Sequence, residues 1–148
     1  MNEEMNRWCV LIPCSQSETW AVPQNCLAEI VTLQCGEECP PSEIEWRGTT
    51  VPVVDFGLEE GPDWCDPRRG AGLVAVFLGL AGEGCEYWGV AVRGDGLRAT
   101  RLQPEEAADA PGKALPHATA AFEYRGVLCQ VPDLDRLQRT ITADRQVA

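Results

Sequence analysis

All-β is the class this sequence predicts, as a barrel or a sandwich. Eight or nine short runs of apolar and β-forming residues follow one another along its 148 residues. Turn signals drawn from 14 glycines and 11 prolines separate them. Almost no segment carries a long helical period, and short strands punctuated in this way build barrels and sandwiches. The length suits one domain, so residues 1–148 are expected to form a single unit with a core of its own.

The elements follow in order. Trp8 to Pro13 is rich in β-formers, Ser15 to Glu18 is a turn, and Thr19 to Val22 returns, which makes a hairpin. Pro23 ends it. A single helical turn is expected over Gln24 to Glu29, ahead of the β-branched run Ile30 to Leu33. Gln34 to Ser42 reads as a loop, marked by Gly36, Pro40 and Pro41.

Glu45 to Phe56 is the most informative stretch. The turn Arg47-Gly48 feeds an apolar strand, Val51 to Phe56, that contains an acid, Asp55. Pro52 cannot donate to a ladder, which points to an edge strand or a bulge. An edge flanked by Trp46 and Arg47 suits docking, and the stretch contains neither a nucleophile nor a paired base.

Leu58 to Gly72 is a second loop. Leu73 to Leu78 is a continuous apolar run and so a central strand, with Tyr87 to Val92 returning beside it. Gly94-Asp95-Gly96 is a turn, and Leu97 to Leu102 alternates apolar with polar as a half-buried strand should. Residues 104–118 are expected as a surface loop with one helical turn after Pro104. Ala120 to Glu123 and Val127 to Val131 form a last hairpin around Tyr124-Arg125-Gly126. A short helix then starts with Asp133 as its N-cap and Leu134, Leu137 and Ile141 as its apolar stripe, before Asp144 to Ala148 fray. No internal repeat is evident.

Composition narrows the function classes. A net charge of −11 argues against nucleic acid and anionic membranes, whose recognition needs clustered lysine and arginine. The segment Met1 to Arg7 carries acids without an apolar stretch, and the longest apolar run, Leu73 to Ala81, is too short for a bilayer. No direct membrane insertion and a cytoplasmic location are therefore expected. In that compartment the eight cysteines do not suggest a disulfide framework. Cys9, Cys26, Cys85 and Cys129 stand among apolar or strand-like neighbours, where a free cysteine acts as a small hydrophobe.

Groups suited to catalysis are sparse. His117, the one histidine, lies between Pro116 and Ala118 and is expected to be exposed in a loop, without the rigid frame and orienting partner a general base needs. Gly79, Gly82 and Gly84 are hairpin glycines, because no basic residue or helix follows to make a phosphate loop. Arg93-Gly94-Asp95 is a chance tripeptide. The paired acids Glu3-Glu4, Glu37-Glu38, Glu59-Glu60 and Glu105-Glu106 read as solvated faces. Cys35 and Cys39 form one loose pair beside two glutamates, and structural zinc normally takes two short-spaced pairs. Cys14 and Cys65 are the thiols available to complete such a set. A small cytosolic thiol or zinc protein using Cys35 and Cys39 thus stays open as an alternative, although no cofactor or metal is expected.

In their order and spacing, four segments resemble the CheW family of chemotaxis coupling proteins, including the branch serving type IV pilus (twitching) systems. They are Trp8 to Val22 with Leu27 to Val31; Trp46 to Asp55, which looks like the family's "RG…VPVVDL" signature; Val74 to Val76 with Tyr87 to Val92; and Phe122 to Leu137. The resemblance implies two small five-stranded, SH3-like β-barrels around a shared core, with short helical turns and a C-terminal helix. It implies an adaptor without catalytic activity. Its implied partners are the cytoplasmic tip of a methyl-accepting chemoreceptor and the regulatory domain of a CheA-type histidine kinase. By motif, Glu29 and Arg47 are expected as a salt-bridged pair on the coupling surface, with Trp46, Val51 and Val53 as the other partner-binding residues. The chain departs from the family in the short segment before Trp46, in Arg93 where an acid is common, and in its many cysteines.

Overall fold

A computed structural model describes residues 8–15, 18–34, 40–56, 64, 70–79, 87–93 and 97–147. Its strands are β1 (Trp8–Pro13), β2 (Thr19–Pro23), β3 (Leu27–Gln34), β4 (Glu43–Trp46), β5 (Thr49–Val54), β6 (Ala71–Leu78), β7 (Tyr87–Val92), β8 (Arg98–Arg101), β9 (Ala107–Asp109), β10 (Ala118–Tyr124) and β11 (Val127–Pro132), followed by helix α1 (Leu134–Val147). They make two curled sheets, ordered β8-β1-β2-β11-β10-β9 and β3-β6-β7-β5-β4.

The two sheets repeat one another, which the sequence did not disclose. In each, an edge strand (β8 or β3) pairs antiparallel with the first strand of a hairpin (β1–β2 or β6–β7). The hairpin's second strand then lies parallel to the last strand of another hairpin (β10–β11 or β4–β5). Ile12 faces Trp20 in one sheet as Phe77 faces Trp88 in the other. The repeat is permuted along the chain, since β1 and β2 precede the sheet that β8 to β11 complete, so no fixed period marks it. Among the described residues, strand β9 is the one strand without a counterpart.

Both sheets bury the same core. Val10, Ile12, Trp20 and Val22 meet Ala75, Phe77, Trp88, Val90 and Val92, and α1 adds Leu137 and Ile141. Phe77 stacks on Trp88 at 4.7 Å, and Trp20 meets Trp88 edge-on at 6.3 Å. Offset and edge-on pairs of this kind add about 0.5–1.5 kcal/mol each beyond the area they bury. A second cluster, around Ile44, Trp46, Val51, Trp64, Val74 and Val76, fills the other side of the five-stranded sheet. A third, around Cys9, Ala21, Tyr124 and Cys129, does the same for the six-stranded sheet.

Several expectations need correcting. The helical turn covers only Gln24–Cys26, and Glu29 is already in β3. Strand β5 is interior, between β7 and β4, despite Pro52. The N–H of Val53 bonds Ser42 O at 2.9 Å. Alternation turns the nitrogen of Pro52 to the other side, one residue before the short ladder to β7 begins at Val53. Residues 104–118 are not simply a loop, because Ala107–Asp109 pairs with β10. Helix α1 runs 14 residues and keeps its helical backbone through Val147. Asp133 caps it as expected, its Oδ1 accepting the Arg136 N–H at 3.2 Å. The Gly94-Asp95-Gly96 turn and Gly82 and Gly84 lie outside the described residues.

Candidate docking site

The five-stranded sheet curls until its two edges, β3 and β4, approach each other. Side chains rather than backbone bridge the gap. Glu29 points outward from β3 beside a register irregularity at Leu27/Glu29, a device that re-aims side chains. Its Oε1 accepts the Trp46 indole N–H at 3.1 Å and an Arg47 Nη2 N–H at 3.0 Å. The period-2 pattern of β4 sends Ile44 and Trp46 inward and Glu43 and Glu45 outward. Trp46 is buried and meets Tyr87 edge-on at 4.8 Å.

Arg47 and Gly48 form the hairpin turn with φ of 50° and 77°. Two consecutive left-handed residues define the turn that matches strand twist. This conformation lays the Arg47 guanidinium over the Trp46 ring at 4.7 Å. The Arg47 side chain stays 70% exposed and that of Glu29 42%. A pair so exposed stabilises the fold by only about 0–1 kcal/mol. What it provides is a cation held over an aromatic ring and open to solvent.

The expected partner-binding residues separate. Glu29, Trp46 and Arg47 come together, with Trp46 forming the floor. Val51 does not belong with them: it is fully buried in the cluster around Trp64 and Val74 and presents nothing to a partner. Val53 is partly buried against the same cluster. Tyr87, which was not anticipated, completes the floor.

Two buried polar contacts were also missed. Arg93 grips Asp55 with two hydrogen bonds, Nε to Oδ1 at 3.0 Å and Nη2 to Oδ2 at 2.6 Å, and its backbone N–H bonds Pro13 O at 2.8 Å. His117 is not an exposed loop residue. Its Nε2 lies 2.6 Å from Glu18 Oε2 and its ring stacks on Phe56 at 5.2 Å. Loop-like composition around His117 hid a contact made by residues distant in the chain. Both contacts join the β1–β2 hairpin to other parts of the molecule.

Cys35, Cys39, Cys65 and Cys85 lie outside the described residues. Cys14 and Cys129 are fully buried, and burial pushes both thiols up, Cys129 to about 11. Cys9 is buried too, as the apolar reading expects. Among the described residues, no three His, Cys, Asp or Glu gather to hold a metal ion. Nor, among them, is any helix long and apolar enough to cross a membrane.

No family model matches the chain, and no curated protein matches it. Among solved structures, the fold is shared with the scaffolding protein TtCheW from Thermoanaerobacter tengcongensis. The TM-score is 0.59 at 15% identity, covering 90% of this chain and 88% of that one. The likeness defines the class of fold: two curled, SH3-like sheets about a shared core, with one helix following the last strand.

Proposed function

We propose that this chain is a CheW-type adaptor without enzymatic activity, coupling methyl-accepting chemoreceptors to the regulatory domain of a CheA-type histidine kinase in the cytoplasm. The observation that carries this reading is the fold it shares with the scaffolding protein TtCheW over 90% of its length. The "RG…VPVVDL"-like segment adds to it, since Arg47 stands on an aromatic floor where a partner can reach it. The Trp46-Arg47-Gly48 sequence favours the type IV pilus branch over flagellar steering. In this reading the whole chain is one adaptor domain, and Glu29, Trp46 and Arg47 form its docking corner, with Val53 at the margin.

The test is a pull-down and titration with the CheA-type regulatory domain and a chemoreceptor tip from the same organism. Arg47→Glu places two carboxylates side by side and should weaken binding about tenfold or more, as loss of an interface arginine does. Unchanged affinity for both partners removes this corner from the interface. Absence of binding by the native chain overturns the adaptor reading.

A further inference from the structure

Trp46 touches both members of the ion pair at the candidate docking corner. Its indole N–H and an N–H of Arg47 Nη2 converge on one oxygen, Glu29 Oε1, at 3.1 Å and 3.0 Å. Its ring lies under the Arg47 guanidinium, with Cζ 4.7 Å from the centroid. One side chain thus holds the acid by a hydrogen bond and the cation by its π face. The tryptophan is badly placed to meet a partner itself. It is 8% exposed, faces inward from β4 and belongs to the buried cluster with Ile44, Val51 and Trp64. Tyr87 braces its ring edge-on at 4.8 Å. Glu29 and Arg47 carry the exposed surface instead. Long side chains that open to solvent ordinarily sample many rotamers, and an exposed ion pair alone does little to hold them. An aliphatic residue at position 46 would fill the same inward place while offering neither an N–H nor a π face.

From this arrangement we infer that Trp46 is the positioning residue of the corner, orienting Glu29 and Arg47 before a partner arrives and making no contact with the partner itself. The inference rests on the adaptor reading above for what the corner binds. The ordering of the two side chains is a property of the free chain and stands apart from it. A partner then meets a cation and an acceptor already in place, and such pre-ordering raises affinity because fewer side chains are immobilised on binding. The indole works as a support behind the contacting groups, whose precision depends on what holds them.

Two variants divide the roles of the indole: Trp46→Phe keeps a ring and removes the N–H, and Trp46→Leu removes both. In the free chain, NMR relaxation of the Arg47 Nε–H should give an order parameter above about 0.6 natively and below it in Trp46→Leu. Titration with the CheA-type regulatory domain and with a chemoreceptor tip should show affinity reduced about two- to tenfold by Trp46→Phe, and further by Trp46→Leu. Trp46→Leu opens space in a buried cluster, so a double-mutant cycle built on the milder variant separates orientation from packing. On a Glu29→Ala background Trp46→Phe should have little further effect, because the acid its N–H would hold is gone. The same loss on both backgrounds overturns the inference, as does an Arg47 order parameter that Trp46→Leu leaves unchanged. An order parameter that falls in Trp46→Leu, in a native chain that binds neither partner, supports the positioning role and overturns the adaptor reading instead.

Discussion

Glu18 and His117 stand 99 positions apart in the chain and meet at 2.6 Å. The same Glu18 Oε2 accepts the Trp20 indole N–H at 2.7 Å, so one buried carboxylate serves both partners. Around this contact the segment before β10 is tied down. The Asp133 N–H bonds His117 O at 2.8 Å, and Gln130 Oε1 and Nε2 hold Leu115 N and Lys113 O at 3.0 Å.

His117→Ala should therefore destabilise the protein by about 1–2 kcal/mol, the cost of depriving a buried acceptor of a partner while a second remains. Urea unfolding followed by tryptophan fluorescence reads it. An unchanged midpoint would show that the contact contributes nothing to the fold.

Asp55 and Arg93 make a buried ion pair whose two halves depend on each other. Arg93→Ala leaves a buried carboxylate and should cost about 3–5 kcal/mol, whereas the double change Arg93→Met with Asp55→Leu should lie much nearer the native stability. Equal losses for the single and double variants would show that packing, not charge pairing, holds this junction.

Burial sets the thiol chemistry. The Cys129 thiol is raised from 9.0 to about 11, with Cys14 raised as well, so the folded state holds these protons more tightly than the unfolded chain does. The contribution of Cys129 to stability is complete below about pH 9 and is lost as pH rises from there toward 11. Unfolding midpoints measured from pH 8 to pH 11 should fall over that window. A thiol reagent at pH 8 should label Cys14 and Cys129 only after unfolding. Labelling of either in the native protein at the rate of an exposed thiol contradicts the burial.

Arg47 has a left-handed backbone with φ of 50°, which costs a side-chain-bearing residue about 1 kcal/mol. Arg47→Ala keeps that cost and loses the ion pair, whereas Arg47→Gly removes the cost. The glycine variant should be more stable than the alanine variant by about 1 kcal/mol in chemical denaturation. A more stable alanine variant would contradict the turn assigned here.

Trp64 lies across Gly72, where an added Cβ would come within 2.4 Å of the indole. Gly72→Ala should cost about 1–3 kcal/mol through overpacking, and Gly112→Ala, which meets nothing within 4 Å, serves as the control. Equal melting temperatures would show that the indole yields without strain.

Local pattern carried much of the fold. Strands β1, β2, β6, β7, β10 and β11 stand out in the sequence because each is a dense apolar or alternating run between strong turn residues. Strand β4 was hidden by its two outward glutamates. Strand β9, Ala-Ala-Asp, has no β-forming residue and exists because β10 offers it an edge. Pro52 misled because a proline's cost depends on which way its nitrogen faces, and only the pairing reveals that. At the candidate docking corner, motif alone brought Glu29 and Arg47 together. It could not separate Val51, which is core, from its strand neighbours, nor find Tyr87, which arrives from another strand.

The parallel alignment of β11 with β2 bears on how the molecule assembles during synthesis. The five-stranded sheet uses only segments from Leu27 to Val92, and it can close while the remainder is still being translated. Its neighbour cannot, because the first hairpin must wait about a hundred residues for β11, the kind of distant closure that slows folding. During that interval β2 exposes an unprotected edge, able to recruit a foreign strand. A nascent chain halted before β10 should therefore depend on chaperones far more than one halted after α1.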